Sequence, residues 1–170
     1  MNANADFRDL FRTFNTCGVR YLLVGAHAVM HYAEPRYTKD LDILIDPAPA
    51  NAARAWRALA EFGAPLEGLT LGDLSNPEMV YQIGMAPNRI DVMMGLPGVR
   101  FPTAWKRRVR SSYGGVPIGI IHRTDLIRAK RTAGRPQDLL DIAALKLSRK
   151  ARPLRRRRRA PAARKAPKRR

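Results

Sequence analysis

Between Lys39 and Asp46 the chain alternates in a way that leaves few folds open: Lys39-Asp40-Leu41-Asp42-Ile43-Leu44-Ile45-Asp46. A β-strand sends successive side chains to opposite faces, so residues two apart share a face. Leu41, Ile43 and Ile45 then face a core. Asp40, Asp42 and Leu44 line the other face, with both carboxylates at its start. Such residues stand about 6.6 Å apart at their Cα atoms. Acids held this close beside an apolar layer repel, and a nearby cation makes the ionised pair tolerable. One divalent ion, or two about 3.5–4 Å apart, fits between such side chains. Carboxylate-only ligands suit Mg²⁺ or Mn²⁺ better than Zn²⁺. The spacing alone is equally met by two solvated acids on an exposed strand face, because Asp-x-Asp is a short pattern.

The residues just upstream extend this picture. Val19 to Val24 is apolar and rich in strand-forming residues, so it reads as a strand. Gly25 closes it with a turn that permits close backbone approach, and Ala26 to Ala33 reads as a short helix. Arg36, Thr38 and Lys39 precede the acids, where cations and hydroxyls meet phosphate. Alternation sends Lys39 to the core side, so Arg36 is the better phosphate partner. His27 and His31 are four apart on that helix, which is metal-ligand spacing, but Ala28 leaves no HExxH motif and no third ligand is evident. Surface or packed histidines fit better.

Gly25-Ala26, thirteen further residues, and then Asp40-Leu41-Asp42-Ile43 resemble the signature of the DNA polymerase β nucleotidyltransferase superfamily. Pro35-Arg36-Tyr37-Thr38-Lys39-Asp40-Leu41-Asp42-Ile43 is similar to its small bacterial branch, which includes minimal nucleotidyltransferases and AbiEii-type toxins. So is the run from Asp125-Leu126-Ile127 through Lys130 to Gly134-Arg135-Pro136-Gln137-Asp138. The resemblance spans roughly Val19 to Leu147. It implies an α/β fold with a small mixed sheet flanked by helices. It also implies transfer of a nucleoside monophosphate from a nucleoside triphosphate to an acceptor hydroxyl, by a two-metal mechanism with Mg²⁺ or Mn²⁺ on Asp40 and Asp42. One departure is Ala26, where the superfamily often has Gly or Ser. A serine would offer a hydroxyl to phosphate, whereas Ala26 offers its backbone N–H.

A third acid follows from the same comparison. Met79 to Gly84 and Arg89 to Met94 read as a hairpin around Met85-Ala86-Pro87-Asn88. Ile90, Val92 and Met94 face one way and Asp91 the other. An acid on such a strand needs a partner or a metal, and the residues alone allow an ion pair with Arg89. In the superfamily a third carboxylate comes from a later strand beside the Asp-x-Asp strand, so the resemblance points to Asp91, shared with the ion that activates the acceptor. Gly25 and Ala26 are then expected to approach the triphosphate with backbone N–H groups, joined by Arg36 and Thr38. Lys130 and Arg135 either reach the triphosphate or hold the last two helices to the sheet. The acceptor is open among a small molecule, a tRNA end and a protein side chain, and the branch implies a toxin–antitoxin component. The alternative is a silent nucleotidyltransferase fold that acts as a binding module.

The remaining elements are read from spacing. Phe7, Leu10, Phe11 and Phe14 make the face of a helix stopped at Gly18. Asn51 is expected to cap a helix with Ala52, Trp56, Leu59 and Ala60 on its apolar side, ending at Gly63. Thr103 to Arg108 reads as a short helix with Trp105 in the core. Val116 to Ile121 reads as a strand. Thr124 is expected to cap a helix through Ala133. Pro136 opens a last helix with Leu139, Leu140, Ala143 and Leu147 buried and Asp138 and Asp141 suiting its dipole. His122 finds no partner in the sequence.

Charge divides the chain. The net charge is +18, but residues 151–170 carry eleven Lys or Arg and no acid, leaving +7 for 1–150. Residues 1–150 are expected to form one domain with a modest core. The tail, with Arg155 to Arg159, cannot build a core and is expected to be disordered, binding nucleic acid non-specifically. The single Cys17 excludes an internal disulfide and suits a reducing cytoplasm. The first residues do not read as a signal peptide and no stretch reaches membrane-span length. Cutting the chain after Lys150 is expected to leave the melting temperature nearly unchanged while abolishing most RNA or DNA binding and flattening its salt dependence. Paired thermal melts and binding titrations at two salt concentrations check this, and a truncated chain that unfolds would refute the division.

Overall fold

A computed structural model of the chain describes residues 4–38 and 40–148. The orientation read for Lys39, the boundary near residue 150 and the basic tail lie outside the described residues. Phe7, Leu10, Phe11 and Phe14 bury one face of α1 (Ala5–Thr16). The Asn4 side chain caps the helix by accepting the Phe7 N–H at 3.2 Å. Phe11 stacks on Tyr21 with ring centroids 5.6 Å apart, which fastens α1 to the first strand.

The strands form one mixed sheet in the order β3-β4-β2-β1-β6-β5. They are β1 (Tyr21–Leu23), β2 (Asp40–Ile45), β3 (Val80–Ile83), β4 (Arg89–Met93), β5 (Val109–Tyr113) and β6 (Val116–Ile120). β1 pairs antiparallel with β2, and β3–β4 and β5–β6 are antiparallel hairpins. β2–β4 and β1–β6 are parallel. Leu41, Ile43, Ile45, Ile90 and Val92 are buried, as the alternation of β2 and β4 requires. The helices α2 (Gly25–Tyr32), α3 (Pro49–Phe62), α4 (Phe101–Arg107), α5 (Arg123–Ala133) and α6 (Pro136–Leu147) flank this sheet. α1 packs on α3, and α2 meets β2, α5 and α6. None of the described helices is long and apolar enough to cross a membrane.

One strand is absent from the sequence reading, and several expectations are corrected. β5 reads in sequence as charged and polar, Val109-Arg110-Ser111-Ser112-Tyr113, yet it forms the edge of the sheet, where one side of a strand needs no apolar cover. The Gly114-Gly115 turn that joins it to β6 was its available signal. Asn51 does not cap α3. Ala48 holds that position and Pro49 opens the helix. Asn51 is buried instead. It accepts the Arg20 N–H at 2.8 Å and donates to the Asp46 carbonyl at 2.9 Å, so it clamps the neighbouring ends of β1 and β2. Of the face read for α3, Ala52 and Leu59 are buried, Trp56 is half-buried and Ala60 is exposed. His122, not Thr124, caps α5, its Nδ1 accepting the Thr124 N–H at 3.3 Å.

The largest correction is the rotation of α6. Leu139, Leu140 and Leu147 are 60%, 65% and 83% exposed, and Ala143 is exposed as well. The inward face is Asp138, Asp141, Ile142 and Leu145. Both sets have helical spacing, so periodicity could not choose between them. The choice is made by Lys130 on α5, whose ammonium lies 2.9 Å from Asp138 and 2.7 Å from Asp141. A buried ammonium without partners is far costlier than three exposed leucines. Leu145→Ala is therefore expected to cost about 2–4 kcal/mol, whereas Leu140→Ala changes stability by less than about 0.5 kcal/mol. Denaturant melts of the two variants test the orientation, and the reverse ranking would overturn it.

Candidate active site

The parallel pairing of β2 and β4 brings the three sequence-selected acids together. Asp42 is the direct register partner of Asp91, and Asp40 is that of Arg89. Neighbouring strands lie about 4.8 Å apart, so Asp42 and Asp91 stand side by side on the face shared with Asp40. Gly25 ends the turn after β1 with a φ of 57°. A Cβ there would lie 1.8 Å from Asp42 Oδ2, so both the left-handed backbone and the space demand glycine. The Ala26 N–H, at the first turn of α2, donates to the Asp42 carboxylate. The turn that the sequence reading aimed at phosphate thus first serves to seat an acid.

Asp42 is poorly compensated. Burial, then repulsion from Asp40 and Asp91, pushes its pKa from 3.8 up to about 6, against the opposing pull of the Ala26 N–H and Lys130. Asp40 and Asp91 instead share a guanidinium. Arg89 Nη2 lies 2.5 Å from Asp40 Oδ2 and 3.1 Å from Asp91 Oδ2. Its Nε lies 3.0 Å from Asp91 Oδ1 as an ion pair without hydrogen-bond alignment, and Asp91 Oδ1 is buried with no hydrogen-bond partner. The ion pair with Arg89 that the residues alone allow is present, and Asp91 also adjoins Asp42 in register. Thr38 Oγ1 donates to Asp40 Oδ1 at 2.9 Å, so Thr38 steadies the carboxylate.

A cleft of about 260 Å³ opens beside these acids. Gly25, Ala26, Thr38, Asp40 and Asp42 line one wall, and Arg36, Lys130 and Arg135 bring positive charge to it. Arg36 makes a bidentate pair with Asp141 at 3.1 and 3.0 Å, and Lys130 is held by Asp138 and Asp141. Burial pushes Asp141 up, but its hydrogen bonds to Lys130 and Arg36 outweigh that and hold its pKa below the usual value. Lys130 therefore does fasten α5 to α6 while lining the cleft. Asp138 and Asp141, read from sequence as dipole partners only, are what hold the cleft's cations in place. The clue available was two acids on the inward side of α6 with a lysine one helix earlier. A larger groove of about 800 Å³ beside α6 shares Arg36, Gln137 and Asp141 with the cleft but none of the three clustered acids. His27 packs edge-on to Phe7 and Tyr113, and burial lowers its pKa. His31 packs on Tyr32. Both are packed aromatics rather than ligands.

Among the described residues, no three acid, histidine or cysteine side chains converge as a ready-formed ion site. The donor chemistry nonetheless fits a hard divalent cation. Three carboxylates adjoin, one of them with a buried oxygen that no hydrogen bond satisfies and another whose pKa is raised by burial and by its acidic neighbours.

No family model matches the chain, and no curated protein matches it. Solved structures do. The lincosamide antibiotic adenylyltransferase LnuA, solved with lincomycin bound, is similar with a TM-score of 0.55 at 14% identity, over 86% of this chain and 99% of that one. The antibiotic-resistance factor ANT(2'')-Ia gives a TM-score of 0.51 at 8% identity, over 83% of this chain and 79% of its own. The chain has a nucleotidyltransferase-like fold.

The crowding of Asp42 has a sign that can be measured. The folded protein binds the Asp42 proton more tightly than the unfolded chain, so the ionised group lowers stability above about pH 6 and this effect vanishes below about pH 4. With a chelator present, Asp42→Asn is expected to raise stability by about 2 kcal/mol at pH above 7. That gain should shrink towards zero as the pH falls below about 4. Thermal melts across this range check it, and a difference independent of pH would contradict the repulsion.

Proposed function

We propose that this protein is a nucleotidyltransferase that moves a nucleoside monophosphate from a nucleoside triphosphate to an acceptor hydroxyl. The observation that supports it most is the register of β2 and β4, which sets Asp42 against Asp91 with Asp40 two residues before, in a fold similar to that of an adenylyltransferase. Asp40, Asp42 and Asp91 would hold Mg²⁺ or Mn²⁺. When bound, such ions offset charge on the triphosphate and the departing pyrophosphate and lower the pKa of the attacking hydroxyl.

The chain's own residues do the rest. The N-terminus of α2 turns its positive pole towards the cleft, an arrangement suited to phosphate. Arg36 and Lys130 face the triphosphate as cations held by Asp138 and Asp141, so little side-chain entropy is lost when it binds. Gly25 lets the backbone and Asp42 approach together, and Thr38 keeps Asp40 from rotating. The acceptor oxygen attacks the α-phosphorus, the bond to the bridging oxygen breaks and pyrophosphate leaves. Asp91 would take the hydroxyl proton, its carboxylate being held by Arg89 until then. The reaction belongs to the cytoplasm, where triphosphates and magnesium abound, and the resemblance to the AbiEii-type branch extends the proposal to a toxin–antitoxin pair.

Transfer of label from α-labelled triphosphates to a cell extract in Mg²⁺ or Mn²⁺ tests the reaction class. Asp91→Asn is expected to keep triphosphate binding while kcat falls by 10²-fold or more, on the order of the contribution of a positioned acid or base. Measuring kcat and melting temperature on one preparation separates the roles. An unchanged kcat with a lowered melting temperature would make Asp91 a structural partner of Arg89 and remove it from the reaction.

A further inference from the structure

Arg89 contacts three of the four carboxylate oxygens of Asp40 and Asp91: Asp40 Oδ2 at 2.5 Å, Asp91 Oδ2 at 3.1 Å and Asp91 Oδ1 at 3.0 Å. The fourth, Asp40 Oδ1, accepts from Thr38. These are the oxygens that a divalent cation on the cluster would need. A guanidinium spanning two carboxylates is a good geometric match and carries only a single charge. The ladder enforces this position, because Arg89 is the register partner of Asp40 and shares a strand face with Asp91 two residues on. The Arg89 side chain is 35% exposed, whereas that of Asp91 is 11% exposed, so the guanidinium has a way out to solvent that the acid lacks.

We propose that Arg89 is a built-in counter-ion of the acid cluster, a positioning residue that holds Asp40 and Asp91 in place and is displaced when a divalent cation binds. This rests on the nucleotidyltransferase reading of the site. Its consequence is a cation affinity set by competition. If Arg89 occupies the acids in nine molecules out of ten, the apparent affinity for the cation is lowered about tenfold. The protein then keeps the cluster folded before the cation arrives, at the expense of holding a free cation weakly. A cation that arrives with a triphosphate brings further ligands and competes better.

The test is Mn²⁺ binding to the full-length chain without nucleotide, read from the electron paramagnetic resonance of free Mn²⁺. Arg89→Gln is expected to bind Mn²⁺ about tenfold more tightly than wild type. Arg89→Lys, a point charge that cannot span both acids, is expected to fall between them. A second measurement uses the wild type, so it does not depend on a variant folding. Mg²⁺ is added to protein with ¹⁵N-labelled arginine, and the Arg89 Nε–H resonance, assigned by its loss in Arg89→Lys, is followed. Its shift should track Mg²⁺ saturation. Release of the guanidinium should also speed exchange of its Nε–H with water, which a field effect alone would not do. Equal or weaker Mn²⁺ binding by Arg89→Gln, or an unmoved Arg89 resonance at saturation, overturns the proposal. If wild type binds Mn²⁺ and Asp42→Asn does not, such a result leaves the site reading standing. If no form binds Mn²⁺, both readings fall.

Discussion

Asp42 and Asp91 stand opposite one another in a parallel ladder, and like charges so placed repel. Much of the surrounding structure answers that repulsion. Gly25 surrenders its side chain so that Asp42 has room, and Ala26 donates a backbone N–H to it. Arg89 bridges the outer two acids, and Thr38 pins Asp40. None of these is a large apolar contact. They are small polar adjustments laid over a buried strand layer, Leu41, Ile43, Ile45, Ile90 and Val92, whose packing supplies the stability that tolerates them.

A second group of charges lines the same cleft as Asp40 and Asp42. Arg36 and Lys130 are cations held by Asp138 and Asp141. Asp40, Asp42 and Asp91 have one guanidinium among them and keep a net negative charge, whereas Arg36 and Lys130 are matched one for one by Asp138 and Asp141.

The acids and their strands were legible in the sequence because their signal is local. Alternation in Asp40 to Ile45 and in Arg89 to Met93 sets the faces, and Leu41, Ile43, Ile45, Ile90 and Val92 are buried as it predicts, with Leu44 and Asp91 on the other face buried as well. The glycine turn and the short helix after it were legible for the same reason. What was not legible depended on partners distant in sequence. The rotation of α6 was decided by Lys130 and Arg36, which lie outside that helix, so its equally periodic leucines misled. Asn51 looked like a cap until Arg20 and Asp46 claimed it. β5 has no apolar pattern of its own and exists because β6 offers it a ladder. The acids could be read as a cluster, but the guanidinium lodged among them could be read only as one of two choices for Asp91.

The pairing of β2 with β4 has a kinetic side as well. It joins residues 49 positions apart in the chain, whereas the β3–β4 and β5–β6 hairpins close over short turns. Long loops close at a greater entropic cost, so parallel, non-local ladders form slowly. Forming the β2–β4 ladder also sets Asp42 against Asp91, so the chain meets this charge repulsion while it folds and not only in the finished state. The acids that its proposed chemistry requires are thus brought together by one of the fold's non-local pairings and not by a local turn.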